Sequence, residues 1–192
     1  MKNLIFSLAV GMMLVNCGGG GATPSEVNGV QQTVDANVLS TSKQEMLDAI
    51  NAVRATSRDC KDGKGVIAPA DPLTWNDNLY ASALEHATDL AKSNTFSHMG
   101  SGTVYDITGY ALGRKSLFYE RIGANGYGVY RSLGENIAGG QKTLQEAVNA
   151  WVASPDHCSN LMSHDFKELG MSVVIENNSK YGIYWAQNFG SK

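Results

Sequence analysis

The stretch LTWNDNLYASALEHATDLAKSNTFSHMG, residues 73–100, sets the frame of the fold. Leu79, Ala83, Ala87 and Leu90 recur on one face of a 3.6-residue period, which predicts an amphipathic helix with a buried stripe. Alanines 81, 83, 87 and 91 keep the helix surface low, so another element can approach it closely. His86 lies near the stripe and reads as a packed side chain, whereas His98 follows in the turn FSHMG.

Working outward, KQEMLDAINAVRATSRD (43–59) places Met46 or Leu47, Ile50 and Val53 on one helical face. Glycines 63 and 65 and prolines 69 and 72 make the connection to the next helix a loop. Residues 99–134 carry many glycines and tyrosines and predict a long loop with one short helix. Then comes a helix with Thr143 as N-cap and Glu146 completing a capping box; Leu144, Ala147, Val148 and Trp151 face inward, and Pro155 ends it. Glu146 is thereby given a structural role. Near the C-terminus, Met171–Glu176 and Gly182–Phe189 are strand-like runs parted by Asn177, Asn178 and Ser179, and they predict an antiparallel hairpin.

The chain has 192 residues, 43% of them hydrophobic and 17% charged, which suits one packed domain. Fifteen Lys and Arg against eighteen Asp and Glu give a formal charge of -3 with no basic cluster, which argues against a nucleic-acid partner. The start, MKNLIFSLAVGMMLVNC, sets Lys2 before an apolar run that is too short to span a bilayer and reads as a signal peptide; the alternative is a buried helix. Leu14-Val15-Asn16-Cys17 resembles a bacterial lipobox, with Asn16 larger than the residue usual there. The expected organisation is a lipoprotein signal peptide over 1–16, a lipidated N-terminus and flexible linker over 17–42, and one domain over 43–192. With Cys17 acylated, Cys60 and Cys158 are the remaining thiols of an exported chain, and a bond between them is the default; the alternative is two separate buried thiols.

Three short segments carry titratable groups: FSHMG with His98, GENIA (134–138) with Glu135, and WVASPDHC (151–158) with His157. Each is weak alone. Together with the LTWNDNLYASALEHATDLA helix and the terminal YWAQNFG strand, in this order from roughly Lys43 to Gly190, they resemble the CAP superfamily of cysteine-rich secretory, antigen 5 and pathogenesis-related 1 proteins, in its bacterial SCP-like branch. The resemblance implies an α+β fold, a three-layer alpha-beta-alpha sandwich with a central antiparallel sheet, and a cleft with His98, Glu135 and His157 in it. The family's second cleft glutamate is matched here by Ser154, which removes a carboxylate.

Leader, lipobox and resemblance together imply an outward-facing, lipid-anchored protein of the cell envelope, on the outer membrane if the cell has two, or secreted if Cys17 is not acylated. The resemblance implies a lipid, glycan or protein ligand held through His98, Glu135 and His157. Two further readings use the same residues: a hydrolase, protease-like or metal-dependent, and a structural envelope protein with an inert cleft. Two imidazoles and a carboxylate suit a divalent ion such as zinc, or calcium, with His98 and His157 as ligands. A His98–Glu135 hydrogen bond that only stabilises the cleft is the alternative. Ser97 and Ser154 adjoin histidine segments, but adjacency supplies neither a base in reach nor an oxyanion site, and no Gly-x-Ser-x-Gly elbow is present.

Overall fold

The computed structural model describes residues 41–192. The expected signal peptide, the lipid attachment at Cys17 and nearly all of the linker lie outside the described residues. Along the chain run α1 (Lys43–Arg54), β1 (Arg58–Asp59), β2 (Val66–Ile67), β3 (Thr74–Trp75), α2 (Asp77–Ser93), α3 (Ile107–Leu112), α4 (Phe118–Ala124), β4 (Ser132–Gly139), α5 (Leu144–Ala153), α6 (Pro155–Met162), β5 (Glu168–Ile175) and β6 (Ile183–Ser191).

The main sheet has the order β3-β5-β6-β4. Strands β4, β6 and β5 are antiparallel, as expected, while the two-residue β3 joins β5 in parallel and makes the sheet mixed at that edge. β6 is buried along its whole length because both its faces are covered. Its side chains alternate between two cores with the period of 2 that a strand imposes. Ile183, Trp185 and Phe189 pack with α1, α5 and α6, and Tyr184 and Ala186 pack with α2. This is the three-layer sandwich.

The alanine face of α2 explains the close packing of its layer. Ala83, Ala87, Leu90 and Ala91 meet Ile137, Tyr184 and Ala186. Opposite the start of the helix, a Cβ on Gly170 of β5 would collide with the backbone of Leu79 and Tyr80, so helix and strand touch at backbone distance there. On the other face Arg54 is buried and donates to the carbonyls of Asp71, Leu161 and Ser163, at 2.9, 2.6 and 2.9 Å. The last two belong to the end of α6, where a cation complements the helix dipole.

Three expectations are corrected. Residues 99–134 hold two short helices, α3 and α4, and the start of β4, in place of a loop with one helix. Asp106 organises them: its carboxylate accepts from the Gly102, Gly109 and Ser116 amides and from the Ser116 hydroxyl. Pro155 ends α5 as expected but also opens α6, where a missing amide hydrogen is harmless, so His157 and Cys158, for which no helix was expected, lie on one. The capping box on α5 is only half formed. Thr143 accepts from the Glu146 amide, while the Glu146 carboxylate takes the Lys142 amide; the reciprocal box is on α1, between Ser42 and Glu45.

Candidate functional site

The site forms at the β4 edge of the sheet, and the strand's alternation builds it. Consecutive side chains of a strand point to opposite faces. Glu135 points into the α2 layer and Asn136 into the α6 layer, so one dipeptide anchors both halves. Asn136 donates to the carbonyls of His157, at 3.2 Å, and of the Gln187 side chain, at 3.0 Å, and its own oxygen accepts from Asn160 at 2.9 Å. Asn160 also reaches the Glu135 carbonyl at 3.3 Å, and the Trp151 indole donates to the Ile137 carbonyl at 3.0 Å. These side chains cover the outer carbonyls of the edge strand and hold α6 beside it.

On the other face, Glu135 is buried and its two oxygens have different partners. Oε1 lies 3.0 Å from His98 Nδ1, and Oε2 accepts from Arg121 Nη2 at 2.8 Å. Arg121, on α4, is fully buried; it also donates to the His98 carbonyl at 2.9 Å and to the Ser116 hydroxyl at 3.0 Å. Burial pushes the Glu135 carboxyl up, but His86, the His98 hydrogen bond and Arg121 outweigh it and hold the group below its ordinary value. It is therefore an anion at neutral pH.

His86 enters this network from α2. Its Nε2 lies 3.0 Å from the Ser97 carbonyl and 3.8 Å from Glu135 Oε1. A carbonyl can only accept, so Nε2 carries the proton, and the buried Nδ1 is left without a partner. Burial, the dominant cause, lowers its pKa to about 4. Near pH 7 His86 is neutral, and the fixed counter-charge of Glu135 is Arg121. The packed role expected for His86 holds, with a polar contact added.

His98 is exposed, with 52% of its side chain accessible, and its ring centroid is 6.3 Å from that of the half-buried His157. Burial lowers the His157 pKa, and the nearby His98 adds to the effect. The three residues proposed from sequence thus share one neighbourhood. Glu135 lies beneath His98, while His157 approaches from the first turn of α6. Cys60 and Cys158 form a disulfide, with Cα atoms 5.4 Å apart, that ties α6 next to His157 to the segment after α1. Trp185 is a core residue and Trp75 packs against the same core.

Other candidates stand apart. Glu146 is exposed and committed to the Lys142 amide, so it brings no second carboxylate to the site. Ser154 is the N-cap residue of α6 without a side-chain capping bond, and the Ser97 hydroxyl accepts from the Met99 amide. A resident zinc ion needs three or four protein ligands. Among the described residues no three His, Cys, Asp or Glu side chains are grouped to hold a metal, and both Glu135 oxygens already have protein partners. Calcium, which prefers six to eight oxygens, fits two imidazoles still less. Sequence reasoning missed Arg121, which lies in an irregular region with no period to reveal it.

Residues 47–189 match the model of the cysteine-rich secretory protein family, CAP, and the chain belongs to that family. It is 30% identical over 124 residues to the uncharacterised Bacillus subtilis protein YkwD, covering 63% of this chain and 40% of that one. It is 24% identical over 152 residues to the uncharacterised membrane protein YlbC of the same organism, covering 79% and 35%. The chain thus spans well under half the length of these relatives. Among solved structures, an extracellular SCP-domain protein of Bacillus anthracis superposes with a TM-score of 0.56 at 22% identity, over 91% of this chain and 45% of that one. An outer surface protein of Borrelia burgdorferi superposes with a TM-score of 0.53 at 22% identity, over 79% and 96%. These two likenesses support the fold.

Proposed function

We propose that the protein is a ligand-binding module of the cell envelope, which presents His98 and His157 to its ligand over the buried Glu135–Arg121 pair. The observation that carries this reading is the engagement of both Glu135 oxygens inside the protein. The carboxylate, with 2% of its side chain accessible, fixes the orientation of His98 from below and is covered from solvent, so the imidazoles and not the carboxylate meet the ligand. Two imidazole edges supply hydrogen bonds, which favours a glycan or protein ligand over a lipid. The lipobox-like LVNC at 14–17 supports an anchor at Cys17, and with it a membrane contact made by acyl chains. The Borrelia burgdorferi relative, described as an outer surface protein, supports an outward-facing location. Among the described residues no helix is long and apolar enough to cross a membrane.

The test is retention of the purified protein on immobilised cell-envelope glycans and on envelope proteins, with saturation and without turnover. His98→Ala and His157→Ala each lower retention at least tenfold while leaving the thermal midpoint near that of the parent. Equal retention by both variants overturns the assignment of the site. Mass spectrometry of the native N-terminus tests the anchor, since an unmodified Cys17 means release from the membrane.

A hydrolase is the second reading, and one feature favours it: a carboxylate at Nδ1 orients a histidine as it would a general base. It requires turnover that vanishes in His98→Ala, and a substrate that brings its own nucleophile or a water to Nε2.

A further inference from the structure

A separate cavity of about 590 Å³ lies along α2, bordered by α3 and α4. Leu84, Ile107, Ala111 and Ala124 make much of its wall, and Tyr80 and Tyr105 add aromatic surface. Glu85, 8% exposed, is the charged residue in this lining. One Glu85 oxygen accepts from the Thr108 amide at 2.8 Å and the other from the Asn125 side chain at 2.6 Å. A carboxylate has about four acceptor sites, so these two bonds leave room for more. No ion pair among the described residues includes Glu85.

A carboxylate at an apolar wall without a protein cation is electrostatically incomplete, since buried charges are ordinarily paired. We infer that this cavity is a binding site for a small aliphatic amine, whose ammonium group meets Glu85 while its hydrocarbon chain lies against Leu84, Ile107 and Ala111. The volume is that of a small-ligand pocket, which favours a free amine over a macromolecular partner. Tyr80 and Tyr105 suit the same ligand, because aromatic faces attract ammonium groups as well as alkyl chains. The sign of the charge sets the selectivity, as an alkyl carboxylate of the same length would bring like charge to Glu85. The site is independent of the His98–His157 reading.

The experiment is calorimetric titration of the full chain with octylammonium, octanoate and octanol. Octylammonium saturates a single site, and octanoate binds at least tenfold more weakly. Glu85→Gln lowers octylammonium affinity at least tenfold and leaves octanol unchanged. Ala111→Trp, at an exposed position of the cavity wall that makes no bond to Glu85, removes both. This variant and the preference of the parent protein carry the test if Glu85→Gln fails to fold. His98→Ala binds octylammonium as the parent does. Octanoate binding as tightly as octylammonium, or no octylammonium binding at all, overturns the proposal, as does full affinity in folded Glu85→Gln.

Discussion

Arg121 Nη2 lies 2.8 Å from Glu135 Oε2, and neither side chain is open to solvent. The pair joins α4 to the edge strand β4 and holds His98 through two contacts, one to its ring by way of Glu135 and one to its carbonyl. Removing one partner leaves an uncompensated buried charge, which costs about 3–5 kcal/mol. Arg121→Met is therefore expected to destabilise the domain by about that amount in urea unfolding. The double variant Arg121→Met/Glu135→Gln recovers part of the loss, and a double-mutant cycle showing strictly additive losses would count against the pair.

Acid should weaken the fold through His86. Its pKa is about 4 when folded and about 6.5 when unfolded, so between these values the unfolded chain binds more protons. Stability is fully present above about pH 6.5 and is lost as pH falls toward about 4. For this largely buried group the loss amounts to about 3 kcal/mol. The lowered pKa of His157 acts in the same direction, below its ordinary value. Unfolding free energies measured across this range should show a shallower slope in His86→Gln; an unchanged slope removes His86 as the cause.

The Cys60–Cys158 bond closes a span of 98 residues, and losing it is expected to cost about 2–5 kcal/mol. Its second effect is local. Cys158 follows His157 on α6, so in Cys60→Ser/Cys158→Ser the amides of this turn should exchange hydrogen faster than those of α2. Uniform protection in both helices means that the disulfide stabilises the fold without positioning His157.

Gly170→Ala places a methyl group against the backbone of Leu79 and Tyr80, which no side-chain rotation relieves. The expected result is a loss of several kcal/mol, above the roughly 1–3 kcal/mol of ordinary overpacking, because helix and strand must separate. Thermal unfolding checks it. As a control, Gly123→Ala on α4, where a Cβ meets nothing within 4 Å, should be neutral or slightly stabilising.

The helices at 43–54, 77–93 and 144–153 were legible because their apolar positions follow the helical period and their caps are local. The hairpin of β5 and β6 was legible from two strand-like runs and a polar turn. That His98, Glu135 and His157 come together in space was legible through their family setting. The helical character of the His157 segment was not, because Pro155 serves equally as the end of one helix and the first residue of the next. Only one of the two helices between residues 107 and 124 was expected, because both are too short to show a period and depend on Asp106 gathering distant amides.

The order of amino acids alone determined the amphipathic faces, the caps and the strand alternation, all of which depend on neighbours a few residues apart. The tertiary structure alone decided that Arg121 neutralises Glu135, that neutral His86 lies beneath the same carboxylate, and that Glu85 faces an apolar cavity without a cation. The physical reason is range. A hydrogen bond or ion pair changes over fractions of an ångström, and residues 14, 37 or 49 positions apart reach such distances only when helices and sheet have packed.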